Sequence, residues 1–410
     1  MKNMSNNEQL KPAQEESILK GLAEQLLNKE INQQDFLGAL KELEQPANDN
    51  STQKKEINTF LDELDNEDIE TVLKQAPFDN YLETNFELYD DDFTSPQQEQ
   101  DKVFLEIPKG GLSLVCGATG HGKTFFLNQL LLDLVHKHQN KTFYFISYEE
   151  NKENIYLKLF LIYLSNYRIV DEFSKNHLKT LKHYFKILLQ GKAGNKLKFV
   201  TKKDQDLKHL EKNIEQAFKD FKELSNRIKV IKPKTTDTQH LIALMQAIQE
   251  RKGDNTGGFL IDYVQLLQPN GEQANTRQEE LKKICYNLQE VSQSLNCGLI
   301  LGCQFNRYVN NPLDLHASKI SEAGDIERNA SLIIGLYDLN RKMIIDKKEK
   351  KAVLINQLLQ YLGFNDKEQE LPLKPYLYIE LLKNRNGNPN LKSLMRKNNN
   401  TGKIDKYFKQ

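Results

Sequence analysis

The sequence predicts an α/β fold: a mostly parallel sheet with helical insertions, preceded by a small helical, acidic N-terminal region. Three observations carry this. From about residue 103, short β-branched or aromatic runs alternate with helical stretches, as a parallel sheet covered on both faces requires. One of those runs, LSLVCG (112–117), leads into Gly117-Ala118-Thr119-Gly120-His121-Gly122-Lys123-Thr124, a complete GxxxxGK[ST]. The first 100 residues hold 8 Lys and no Arg against 23 Asp and Glu, so the composition changes where the alternation begins.

The whole chain of 410 residues is 38% hydrophobic and balances 57 basic against 57 acidic residues, which excludes disordered, collagen-like and disulfide-scaffold classes. No apolar run reaches the roughly 20 residues of a membrane span. The polar start MKNMSNNEQLKPAQEES lacks the apolar core of a secretory signal. Cys116, Cys285, Cys297 and Cys303 have no CxxC spacing and read as reduced core thiols of a cytoplasmic protein. Residues 151–230 carry 18 Lys and Arg against 9 Asp and Glu. An acidic front and a basic body fit a polyanion partner, and equally a Lys-rich solvated surface.

In chain order, residues 14–45 read as a helical hairpin, with Ile18, Leu22, Leu26 and Leu27 at helical spacing and Asn32 and Asp35 marking a second start. PANDNST (46–52) is a linker by composition, and 56–75 reads as a helix with Ile57, Phe60, Leu61, Leu64, Ile69 and Leu73 in one stripe. The N-terminal region is thus 1–75, and the acidic, Pro-punctuated stretch 76–102 is expected to be a linker. The main domain is 103–410. Its expected strands are 112–117, TFYFIS (142–147), GFLID (258–262), CGLILGC (297–303), SLIIGLYD (331–338) and PYLYIELL (375–382). Segments 151–230 and 339–374 read as surface insertions, and NNNTGK near the end as a hairpin turn closing two last strands.

The GxxxxGK[ST] loop carries the chemistry. Its glycines allow close backbone approach to phosphate oxygens, and the helix that follows supplies oriented N–H donors. Lys123 would reach the β- and γ-phosphates, and Thr124 would ligate Mg²⁺. Such a site also needs an acid near the metal and a group to polarise water. Asp262, ending GFLID, suits the first role. Glu149, just past the strand 142–147, suits the second, with Glu150 as its competitor. Each also reads, alone, as a solvated turn residue. Gln304 closes CGLILGC and can sense the γ-phosphate by hydrogen bonding. The histidines show no metal-ligand spacing, and the aromatic residues of 151–230 sit at helical spacing, as core residues do.

In order, GATGHGKT, SYEE, IDYVQLL (261–267), NTRQEELKKICYNLQEVSQSLNCGLILGCQFNR (275–307), ISEAGDIERNAS and LLKNRNG (381–387) resemble the C-terminal motor domain of DnaB-type hexameric replicative helicases. The resemblance covers roughly 104–400. It implies a RecA-like ATPase core that uses ATP and Mg²⁺, with Glu149 as the catalytic glutamate, Asp262 on the Mg²⁺ side and Gln304 as the sensor. It implies that Lys383 and Arg385 reach the ATP of a neighbouring subunit; read without it, they form a basic turn after a strand. It also implies a DNA-facing loop containing Glu322 and Gly324, where Ser321 stands in place of the family's arginine. Arg307, Arg328 or Lys319 are the cations able to compensate. The first hundred residues do not resemble the family's N-terminal collar.

The function expected from this reading is an ATP-driven DNA helicase that forms a ring, a hexamer by resemblance. It would translocate on single-stranded DNA among other replication proteins, with a phage or mobile element as the expected source, and without a membrane. Two alternatives remain at this stage: a RecA-like recombination or repair ATPase, and a nucleotide-gated helicase loader or adaptor.

Overall fold

In the computed structural model, the structure describes residues 80–88, 103–166, 185, 211–269, 276–306, 309, 312–320, 326–339, 376–399 and 401–406. The helices expected at 14–45 and 56–75 lie outside these, as does nearly all of 339–374.

Two strands open the described fold, β1 (Tyr81–Leu88) and β2 (Val103–Pro108), paired antiparallel as a separate two-stranded sheet. Residues 81–88 fall inside the stretch expected to be a linker. Their alternation of Leu82, Thr84, Phe86 and Leu88 buries one side of the strand, a period-two signal that the acidic composition around it obscures.

The main sheet has nine strands in the order β11-β10-β9-β8-β3-β7-β6-β4-β5. These are β3 (Leu112–Gly117), β4 (Thr142–Ser147), β5 (Ile228–Ile231), β6 (Thr256–Asp262), β7 (Gly298–Gln304), β8 (Leu332–Asp338), β9 (Tyr376–Asn384), β10 (Lys392–Lys397) and β11 (Ile404–Lys406). From β5 to β8 every pairing is parallel, while β9, β10 and β11 are antiparallel. The hairpin expected near the C terminus is β10–β11.

Helices cover both faces. On one lie α1 (Lys123–Lys137), α2 (Lys152–Asn166) and α3 (Glu211–Ser225) with the β1–β2 pair; on the other lie α4 (Thr238–Lys252) and α5 (Arg277–Leu295). Strand residues alternate between these cores: Val115 faces α1, while Leu114 and Cys116 face the side of α4 and α5. Asp237 caps α4 by accepting from the Gln239 N–H at 3.0 Å, and Thr276 caps α5 through the Glu279 N–H at 3.3 Å. Caps of this kind contribute about 1 kcal/mol each. The four cysteines are free and buried. No helix among the described residues is long and apolar enough to cross a membrane.

Segment 151–230, expected to be a surface insertion, enters the core at both its ends. Ile155, Leu159, Phe160, Ile162 and Leu164 of α2 are buried, as are Ile214, Ala217, Phe221 and Leu224 of α3. The segment ends in β5, which pairs with β4. Lysines at the exposed positions of α3 hide its apolar stripe from a reading by charge.

At the start of β6 and β7, Gly258 and Gly298 are register partners. A Cβ on Gly258 would lie 2.5 Å from the Gly298 carbonyl oxygen, and backbone cannot rotate away as a side chain can. Gly258→Ala is therefore expected to destabilise the fold by about 1–3 kcal/mol, read as a lower urea midpoint with unchanged slope. An unshifted midpoint would mean that the strands separate freely there.

Candidate functional site

Strand register brings the motif residues to one edge of the sheet. Gly117 pairs with Gln304 of β7 on one side and Leu336 of β8 on the other, and Ser147 of β4 pairs with Asp262 of β6. Past the strands, the Tyr148 N–H donates to Asp262 O at 3.0 Å and the Phe305 N–H to Gly117 O at 3.4 Å. This is the carboxyl edge, where open α/β sheets bind ligands.

The loop between β3 and α1 turns on Gly120 (φ 75°) and Gly122 (φ 92°), conformations that only glycine adopts without strain. Gly122 directly precedes α1, and its carbonyl accepts from the Phe126 N–H at 2.9 Å. A glycine in that place leaves first-turn N–H groups available to an anion. Lys123 Nζ donates to Gly117 O at 2.7 Å and Ala118 O at 3.5 Å, so its ammonium lies inside the loop. Burial lowers its pKa, opposed chiefly by the Asp262 carboxylate.

Thr124 Oγ1 donates to Asp262 Oδ2 at 2.7 Å. Asp262 is only 1% exposed. Burial raises its carboxyl above the ordinary aspartate value, the Thr124 hydrogen bond opposes the rise, and the charge of Glu149 adds to it. A hydroxyl and a carboxylate oxygen meeting at a helix start form a hard donor pair. Among the described residues no three His, Cys, Asp or Glu could hold a metal together. The pair suits Mg²⁺, which takes one or two protein oxygens and completes its shell with phosphates and water.

The geometry separates Glu149 from Glu150. Glu150 is ion-paired with Lys158 of α2, and its N–H donates to Ser147 Oγ at 2.9 Å. Glu149 is exposed. Its charge bears on Lys123, Asp262 and Tyr263, each shifted first by burial. Of the two, Glu149 is the exposed acid whose charge reaches Lys123 of the loop. Gln304 Nε2 donates to Thr119 Oγ1 at 2.7 Å, joining β7 to the loop. His121 turns inward: it is 3% exposed, and its Nδ1 accepts from the Asp338 N–H at 3.1 Å.

Lys383 and Arg385 stand elsewhere. β9 runs antiparallel to β8, so Lys383 pairs with Ile333, and the Arg385 N–H donates to Ser331 O at 2.9 Å. Ser331 precedes Leu336, the partner of Gly117, by five residues. That is about 17 Å along a strand, toward the opposite edge of the sheet. Lys383 Nζ donates to Glu327 O at 2.6 Å and Arg328 O at 3.3 Å, and the Arg385 guanidinium also donates to Arg328 O. Burial lowers the pKa of Lys383, and the adjacent Arg385 lowers it further.

Of the residues expected to face DNA, Arg307, Glu322 and Gly324 lie outside the described residues, as does Ser321. Arg328, in the one-turn helix α6 (Ile326–Asn329), sits with Lys383 and Arg385 at the amino edge. The flanks of the loop are tied down on the carboxyl edge: Phe305 bridges Ile320, and the Asn306 N–H donates to Lys319 O at 2.8 Å.

Arg277 was missed as a positioning residue. Its guanidinium donates to Gln265 O at 2.9 Å and Leu267 O at 2.7 Å and pairs with Glu280 at 2.5 Å. This ties the start of α5 to the segment after β6. Nothing in the sequence marks carbonyl acceptors, so no signal was there to find.

Comparison with known proteins follows the same lines. The family described as "DnaB-like helicase C terminal domain" matches residues 194–401. The chain is 35% identical over 105 residues to the replicative DNA helicase DnaC of Bacillus subtilis (strain 168), covering 25% of this chain and 22% of that protein. It is 34% identical over 83 residues to the replicative DNA helicase DnaB of Geobacillus stearothermophilus, covering 20% and 18%. The matched stretches thus span about a fifth of these relatives' length. Among solved structures, one ATPase domain superposes with a TM-score of 0.51 at 16% identity, over 73% of this chain and 86% of that one. A DnaB-like replicative helicase, in a study of its interactions with primase, gives 0.50 at 16%, over 73% and 58%. At that identity the likeness concerns the fold, which is the RecA-like helicase ATPase fold.

The raised pKa of Asp262 has a consequence for stability. The folded chain holds this proton more tightly than the unfolded chain, so the group's contribution is full below the unfolded value near 3.8 and is lost as pH rises through the folded value. At pH 7 the buried carboxylate is a net cost, and asparagine retains an acceptor for Thr124. Asp262→Asn is expected to raise the nucleotide-free melting midpoint by about 2–4 °C. An equal or lower midpoint would show that Lys123 already offsets the burial of the charge.

Proposed function

The chain belongs to the DnaB-like helicase C-terminal domain family, and on that premise we propose that it is an ATP-driven replicative DNA helicase working as a ring of identical subunits on single-stranded DNA. The observation that carries the reading is the placement of two half-sites on opposite edges of one sheet. The loop with Lys123, Thr124, Glu149 and Asp262 lies at the carboxyl edge, and Lys383 with Arg385 at the amino edge. Neither half completes the other within one chain, and a neighbouring copy supplies what each lacks.

In this reading the loop N–H groups and Lys123 bind the β- and γ-phosphates of ATP, and Thr124 and Asp262 hold Mg²⁺. The metal, when bound, neutralises phosphate charge. Glu149 orients a water and accepts its proton as the water oxygen bonds to the γ-phosphorus and the bond to the β–γ bridging oxygen breaks, giving ADP and phosphate. Lys383 and Arg385 of the adjacent copy stabilise the charge that develops there. Loss of the γ-phosphate changes what Gln304 can bond. Gln304 leads into Phe305 and Asn306, which are tied to Ile320 and Lys319 at the flanks of the expected DNA loop. Lys319, at the flank of that loop, is then a cation able to serve it, while the contact of Arg328 with Lys383 and Arg385 supports a role for Arg328 at the subunit contact instead. The recombination ATPase and the loader receive no specific support from the geometry.

The test is ATP hydrolysis with and without single-stranded DNA, for wild type and Arg385→Ala, in a species sized by light scattering. The expected result is DNA-stimulated hydrolysis by a ring-sized species, reduced by about 10³-fold or more in Arg385→Ala with ATP binding retained. Hydrolysis indifferent to DNA and to Arg385 would overturn the proposal.

A further inference from the structure

Behind the phosphate loop lies a buried ion pair that the site described so far does not use. Asp338 ends β8 and Lys397 ends β10, both on the α1 side of the sheet, with side chains 4% and 3% exposed. Lys397 Nζ is bonded to Asp338 Oδ2. It lies 5.7 Å from the centre of the Phe125 ring, and a Cβ built on Gly122 would sit 3.9 Å from it. The ammonium is therefore placed directly behind the start of α1. Helix dipoles disfavour a cation there, and burial disfavours it further. Asp338 makes the placement tolerable and fixes where the charge sits.

The same residue reaches the loop. The Asp338 N–H donates to His121 Nδ1 at 3.1 Å, and the His121 ring meets Tyr337 edge-on at 4.7 Å. His121 stands between Gly120 and Gly122, the two positive-φ turns of the loop. Two glycines in succession around it would leave the loop free to flex, and the imidazole is its anchor to β8. Lys397 is itself held by the terminal hairpin. Gly402 packs so closely on Phe125 that a Cβ there would lie 2.7 Å from the ring, and the Ile404 N–H donates to Gln129 Oε1 of α1 at 3.4 Å.

We infer that Lys397, Asp338 and His121 form a latch in which the C-terminal hairpin holds the phosphate loop in its nucleotide-binding shape. All three are positioning residues, acting through the loop and not on the nucleotide. The inference rests on the nucleotide reading of the loop. When the latch opens, only a fraction of molecules present a competent loop, and apparent affinity falls by that fraction. Bound nucleotide then reimposes the shape, so KM rises while kcat changes little.

The experiment measures binding of a fluorescent ADP analogue, and KM and kcat for ATP, on the full chain with folding checked by circular dichroism. The variants are Lys397→Met, His121→Phe, His121→Asn, and the double variant Lys397→Met/His121→Phe, with Lys123→Ala as control. Lys397→Met and His121→Phe are expected to weaken binding about tenfold. His121→Asn, which keeps an acceptor, should bind as wild type. The double variant should be no weaker than either single, because both break one chain of contacts. Wild-type binding by both singles, or additive losses in the double, would overturn the latch. Should Lys397→Met not fold, the contrast decides: Asn rescuing where Phe does not supports the latch, and equal behaviour of the two overturns it. Unchanged binding in Lys123→Ala would instead overturn the nucleotide reading itself.

Discussion

Everything at the site depends on parallel register. Six strands running the same way deliver their carboxyl ends to one line. The residues found there, Gly117, Ser147, Asp262, Gln304 and Asp338, come from five strands that span more than half the chain. No local interaction could gather them. A slip of one residue in any pairing would turn that strand's side chains to the other face and dissolve the constellation. The continuous apolar strands and the two large cores that hold this register are therefore as much part of the site as the loop is.

That gathering has a cost in stability. Asp262 and Lys123 are both displaced by burial from their ordinary pKa values, each partly relieved by the other. The arrangement suits a ligand that brings its own charges: phosphates satisfy the lysine, and a divalent cation satisfies the carboxylate. A site fully content without its ligand would gain less from binding it.

The fold was legible because apolar strands without alternation announce a sheet buried on both faces, and all the strands expected from 112–117 to 375–382 are present in the sheet. The linker reading of 76–102 met strands at Tyr81–Leu88 and, at its boundary, Val103. There composition outweighed a four-residue alternation that was visible in the sequence. Segment 151–230 read as an insertion because its lysines face water while its leucines and phenylalanines face the core, so charge and burial tell different stories. At the site, Lys123, Thr124 and Asp262 stood in recognisable motifs. The resemblance through SYEE pointed to Glu149, while the residues alone left Glu150 as its competitor. What sets the two apart in the structure is the ion pair of Glu150 with Lys158, a residue of α2 outside the motif. The Lys397–Asp338 pair was beyond sequence reasoning, joining residues 59 apart across an intervening strand.

The antiparallel turn at β9 changes what one chain can do alone. Had β9 continued the parallel series, its last residues would have ended beside the phosphate loop, and a lysine and an arginine there would have acted in cis. Running the other way, it carries Lys383 and Arg385 to the amino edge, where, among the described residues, they donate to the main-chain carbonyls of 327 and 328. A cation needed at one edge and supplied at the other defines a head-to-tail contact, and head-to-tail contacts close into rings when the rotation permits. In such a ring, on the proposed function, every subunit would receive one pair of cations and donate one, so hydrolysis in each would depend on the posture of the next. On the proposed function, the same strand reversal that looks like an edge decoration of the sheet would make assembly a condition of catalysis.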